Sequence, residues 1–225
     1  MALTNFSGFK TFHPMTKTKK LFLLVPILLT GCATVSYIPR IVLDVSPTTI
    51  EKSLRIEKLK DSSPPEDREN PFGGFSVTNK KALSNDLEVE ITNSLVYDFQ
   101  INGVFEKVTK YDQSADYVLS GEIKKFLGKS KLTTYGIVSL ASIVGIYTWY
   151  FGIPIRKNET DIQLILTLKD KQGKLVGTYK GMFIEGNKSN LYHDKSSSLY
   201  SLTNNALSAA IAQIRSQLLD DFKKK

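Results

Sequence analysis

The stretch ETDIQLILTLKDKQGKLVGTYKGMFIE, residues 159–185, decides how the rest of the chain is read. In its first arm, 159–169, Ile162, Leu164, Leu166 and Leu168 fall on one side and Gln163, Ile165 and Thr167 on the other. A period of two is the pattern of a strand with one covered face. Lys171-Gln172-Gly173-Lys174 has turn chemistry. Leu175 to Glu185 then returns with Val176, Thr178, Lys180, Met182 and Ile184 on one face. The spacing predicts a β-hairpin.

An apolar strand face needs a cover, and the flanking sequence supplies one. Leu83, Leu87, Ile91, Leu95 and Phe99 recur every four residues and predict an amphipathic helix over 80–101, stopped at Asn102-Gly103. Leu199, Leu202, Ala206, Ala210, Ile214 and Leu218 predict a second over 196–222, with lysines at its C-terminal end. Further strands are expected at 53–60, at Val104–Val108 and at 115–126, where Leu119, Gly121 and Ile123 alternate with Ser120, Glu122 and Lys124. A polar, Pro- and Gly-containing loop fills 61–79. The expected fold class is α+β: a two-layer sandwich of two amphipathic helices on a mostly antiparallel sheet of about four strands.

One segment stands outside this pattern. Between Lys131 and Arg156 lie 24 residues without a charge, 132–155. Gly136, Gly145, Gly152, Pro154 and five hydroxyl residues interrupt it, and Tyr147, Trp149, Tyr150 and Phe151 cluster at one end. Three structures fit: an apolar hairpin tucked against the domain, a segment dipping into a membrane or a partner's groove, or a transmembrane helix. Ile143, Tyr147, Trp149, Tyr150 and Phe151 are the candidate membrane or partner contacts, because so much apolar surface rarely stays exposed on a monomer.

At the other end of the chain, Lys17, Lys19 and Lys20 precede the apolar run Leu21–Leu29, followed by Thr30-Gly31-Cys32. Nine residues make a helix of about 14 Å, too short for a hydrocarbon core of about 30 Å. The order of basic, apolar and small-residue regions is that of a signal peptide, 1–31, with Met15 as the expected start. Leu29-Thr30-Gly31-Cys32 resembles the lipobox of bacterial lipoproteins. That resemblance implies cleavage between Gly31 and Cys32 and a diacylglycerol on the Cys32 sulfur, hence a membrane anchored through lipid. Ala33, in place of the aspartate that retains enterobacterial lipoproteins in the inner membrane, implies the periplasmic face of the outer membrane. Residues 32–52 are then a lipidated tether and 53–225 the folded domain, with a short strand at 41–43 within the tether.

The composition excludes several chemistries. Cys32 is the single cysteine, so there is no disulfide, and lipid consumes its thiol. Past the signal, His193 is the single histidine, so no Cys/His nucleophile pair or zinc cluster can be built. No Gly-x-Ser-x-Gly elbow or phosphate-binding glycine loop occurs. Removing the four lysines of the signal lowers the formal charge from +8 to +4, without the basic, aromatic-interleaved face that nucleic acid needs. No cofactor, metal or catalytic residue is assigned.

The run Ala115-Asp116-Tyr117-Val118-Leu119-Ser120-Gly121-Glu122-Ile123, with the order of elements around it, resembles small envelope lipoproteins. These are the lipopolysaccharide-assembly lipoprotein LptE and the auxiliary lipoproteins of ABC-type transport systems. The resemblance implies a non-enzymatic accessory of envelope transport or assembly, with an envelope protein as partner. The alternative is an envelope hydrolase, which would need two carboxylates converging in a cleft.

Overall fold

The computed structural model describes residues 37–40, 49–79, 81–83, 85–141, 147, 150–190 and 195–224. The chain runs from strand β1 (Ile50–Ile56) through short strands β2 (Lys60–Asp61) and β3 (Phe75–Ser76) to helix α1 (Leu87–Ile101) and strand β4 (Phe105–Thr109). Then follow β5 (Tyr117–Leu132), the short helix α2 (Thr134–Ala141), β6 (Arg156–Asp170), β7 (Leu175–Ser189) and the long helix α3 (Lys195–Lys223). Val35–Lys225 forms one compact unit. The expected signal peptide and the expected strand at 41–43 lie outside the described residues.

The α+β class holds, but the sheet has seven strands where about four were expected. Its order is β4-β1-β5-β6-β7, with β2 and β3 paired to β5. The surplus includes β2 and β3, two residues each, too short to show any period. The ladder β5–β6–β7 is antiparallel, whereas β1 pairs in parallel with both β4 and β5. The parallel link between β1 and β4 arises because helix α1 makes the crossover between them.

The hairpin forms as expected and extends beyond both predicted ends. Gly173 takes φ +82° at its turn, and Asp170 Oδ1 accepts from the backbone N–H of Gln172 and Lys174. Ile162, Leu164, Leu166 and Leu168 are all buried and face the helices. In β5 the ladder slips between Ile123 and Lys125, a bulge that places two lysines between Ile123 and Phe126, both fully buried.

Both long helices pack on the same face of the sheet. The stripe Leu87, Ile91, Leu95 and Phe99 is buried, as is the stripe of α3 from Leu199 to Leu218. Each such leucine contributes about 1.5–3 kcal/mol by leaving water. Helix α1 begins at Leu87 and not at 80. Asn79 instead accepts from the backbone of Lys81, Ala82 and Leu83, a turn that competes with helix. Its end is as read: Gly103 has φ +62° and Val104 N–H bonds back to Phe99 O at 3.1 Å.

Helix α3 lies along β7, β6 and β5. Gly181 is what lets it approach, since a Cβ there would stand 2.1 Å from Ala210 O. Two glutamines of α3, one turn apart, reach the outer edge of β7. Gln213 Oε1 accepts from Met182 N–H at 3.0 Å, and Gln217 both accepts from Lys180 N–H and donates to Lys180 O.

Tyr37, in the stretch expected to be tether, is fully buried. Its hydroxyl donates to Asn204 Oδ1 at 2.9 Å, its N–H donates to Ala82 O, and its ring meets Phe126 and Tyr200. Burial pushes its hydroxyl pKa well above the ordinary tyrosine value.

Candidate functional site at the hairpin tip

The uncharged segment joins β5 to β6, so it sits at the far end of the long hairpin from the 171–174 turn. Its two ends meet. Leu132 pairs with Arg156 and Thr133 N–H donates to Ile155 O at 2.9 Å. A chain that returns to its starting point is not a single transmembrane crossing. Among the described residues no helix is long and apolar enough to cross a membrane.

Local chemistry sets the return. Thr133 caps α2, its Oγ1 accepting from Gly136 N–H at 3.1 Å and its O–H donating to Pro154 O. Gly136 lies so close to the returning chain that a Cβ would stand 2.3 Å from Ile155 O. Ile155 N–H donates to Ser189 O at 3.0 Å, and Gly152 turns with φ +66°. Gly136, Ser139 and Ile155 are therefore buried at the base.

The tip itself is open. Tyr135, Tyr147, Tyr150 and Phe151 are 65–79% exposed, and Ile137 and Val138 about half. Tyr150 and Phe151 pack edge to face, centroids 5.8 Å apart. Three of the expected contacts, Tyr147, Tyr150 and Phe151, thus stand in solvent. Ile143 and Trp149 lie outside the described residues, as do Leu29, Thr30, Gly31, Cys32 and His193.

The base carries a feature that the sequence did not reveal. Lys131, Lys157 and Lys188 are direct cross-strand neighbours in β5, β6 and β7, all exposed on the face away from the helices. Lys129 is on that face, one pair further in, opposite Glu159. Lys157 and Lys131 both pair with Glu159, and these contacts hold its carboxyl below the usual range. The lysines are visible in sequence as the borders of the uncharged run, but their alignment depends on a register that only the ladder defines.

Asp67, buried beside β5, has its pKa pushed up by burial, and Asp161 is near enough to add to the effect. Asp161 is held by Lys125 at 2.7 Å and by Gln163. Neither lines the open depressions beside α1, one of which is bordered by Asp86 and Glu88. Among the described residues no group of three metal-ligating side chains gathers.

No protein-family model matches the chain, and no curated protein matches it in sequence. Solved structures do. Protein XCC0632 from Xanthomonas campestris, of family DUF330, is 13% identical over 85% of this chain and 98% of its own, with a TM-score of 0.53. At that identity the likeness is one of fold. The rare lipoprotein B of Shewanella oneidensis is 9% identical over 76% of this chain and 98% of its own, with a TM-score of 0.39. A minor lipoprotein of Acinetobacter baumannii is 12% identical over 77% and 94%, with a TM-score of 0.36.

Proposed function

We propose that the chain is a lipid-anchored lipoprotein on the periplasmic face of the outer membrane, a non-enzymatic accessory of an envelope transport or assembly system. The observation that carries the binding role is the exposed tip. Six large apolar or aromatic side chains are about half or more exposed at the end of a hairpin whose base is ordered by a cap, a close glycine contact and paired strands. Exposed surface of this kind marks an interaction site. The anchor rests on the lipobox resemblance at Leu29–Cys32.

Two measurements test the reading. Cys32→Ser should keep its signal and take up no labelled palmitate, because a hydroxyl does not replace the thiol as nucleophile; normal maturation of that variant would remove the anchor. Gentle detergent extraction of the full chain should bring an envelope protein with it. Recovery of the chain alone under every mild condition would count against an accessory role.

A further inference from the structure

Resting on the reading of the chain as a lipid-anchored accessory protein, we propose that the hairpin tip is its second membrane contact. The tip side chains enter the interfacial layer of an anionic bilayer, and Lys131, Lys157 and Lys188 hold the headgroups.

The first support is the kind of residue exposed. Tyr135, Tyr147 and Tyr150 are the amphipathic rings that settle at a membrane–water boundary, Phe151 adds apolar area beside Tyr150, and no charge interrupts 132–155. The second is the lysine row. Neighbouring strands lie about 4.8 Å apart, so three aligned ammonium stems share a width of about 10 Å. Like charges directly opposite one another destabilise a sheet, and Glu159 is the one acid that pairs with this row. Two of the three lysines share that single carboxylate and Lys188 has no ion pair among the described residues, whereas an anionic surface supplies further partners at the right depth, one residue below the uncharged segment.

The third support is reach. Five peptide links separate Tyr37 from Cys32, at most about 18 Å of extended chain. Tyr37 is fixed in the core against Phe126, six residues or about 20 Å from the end of β5. A lipid on Cys32 therefore keeps the domain close enough for the tip to meet the same bilayer. A groove on a partner protein would accept the aromatic tip too, but gives no reason for a row of three cations served by a single carboxylate at its base.

Residues 35–225, the compact unit, contain no cysteine and so bind membranes only through the fold itself. Trp149, the one tryptophan, is a built-in reporter within the segment. With vesicles of phosphatidylethanolamine and phosphatidylglycerol, this domain should sediment and its fluorescence should shift to the blue. Pure phosphatidylcholine should bind about tenfold less, as should the anionic vesicles in high salt. Tyr150→Glu with Phe151→Glu should abolish binding without moving the melting temperature, because both side chains are exposed. Lys131→Gln, Lys157→Gln and Lys188→Gln together should remove only the preference for anionic lipid. A parent domain that stays in the supernatant with Trp149 emission unchanged would overturn the proposal, as would a tip variant that binds like the parent. If the full chain nevertheless co-purifies with an envelope protein, the accessory reading stands and the tip serves that protein. If the domain binds vesicles and the chain is always recovered alone, the membrane contact stands and the accessory reading fails.

Discussion

Arg215 of α3 sets its Nη1 between the two carboxylate oxygens of Asp98 on α1, 2.9 Å from each, with both side chains almost wholly withdrawn from water. Asn102 adds a third contact, donating to Asp98 Oδ1 at 2.8 Å. This is a polar clasp between the two long helices, inside a largely apolar layer.

Breaking one partner should therefore be worse than replacing both. Asp98→Ala removes the carboxylate that pairs with a buried guanidinium, a loss of about 3–5 kcal/mol. At about 2–4 °C per kcal/mol for a chain of this size, the melting temperature should fall by about 6–20 °C. Asp98→Leu with Arg215→Met should recover most of that. A double variant as unstable as the single one would show that the clasp itself holds the helices.

Gly181→Val tests the approach of α3 to the sheet. The new Cβ meets backbone, Ala210 O and C, which cannot rotate away. Helix and strand must separate locally, at about 1–3 kcal/mol or more. The urea midpoint should drop, while Gly173→Ala at the exposed turn, strained only by its φ of +82°, should lose less.

Asp67 predicts a pH dependence of definite sign. Burial raises its folded pKa above the unfolded value, so the native state holds its proton to higher pH. Stability should then fall as pH rises through that range. Asp67→Asn removes the charge, so the variant should gain on the parent near pH 7. The gain should vanish below the ordinary carboxylate pKa of about 3.9, where both unfolded and folded Asp67 are neutral. Melting curves of the two proteins from pH 3 to 8 check this; parallel curves would refute it.

Gln213→Ala with Gln217→Ala should cost little stability, about 1 kcal/mol for each hydrogen-bonding side chain lost. The larger effect is expected in solution behaviour. Uncapped N–H groups at Lys180 and Met182 should raise self-association, visible by sedimentation at increasing concentration.

Periodicity made the helices and the 159–185 hairpin legible, and the buried stripes of both helices and of the first arm are those the spacing indicates, whereas in the second arm Met182 and Ile184 stand exposed and Tyr179 and Gly181 turn inward. It failed where a structure has no period. Strands β2 and β3 are two residues long, and Tyr37 enters the core from a stretch broken by proline, through contacts with Asn204 and Ala82 that are remote in sequence. The start of α1 moved because the Asn79 side chain competes for the backbone. At the candidate site, composition identified the aromatic tip, but the lysine row needed three strands in register. A one-residue slip in either ladder would scatter it across both faces.

The outermost strand of a sheet is a growing end, ready to accept another chain. Here part of that end is stoppered from within, by two glutamine amides that imitate a neighbouring backbone at Lys180 and Met182. If the proposed lipid confines the molecule to a surface, crowding in two dimensions would otherwise favour zippering of one copy onto the next. On that proposal, the same helix that covers the core would also keep crowded copies separate.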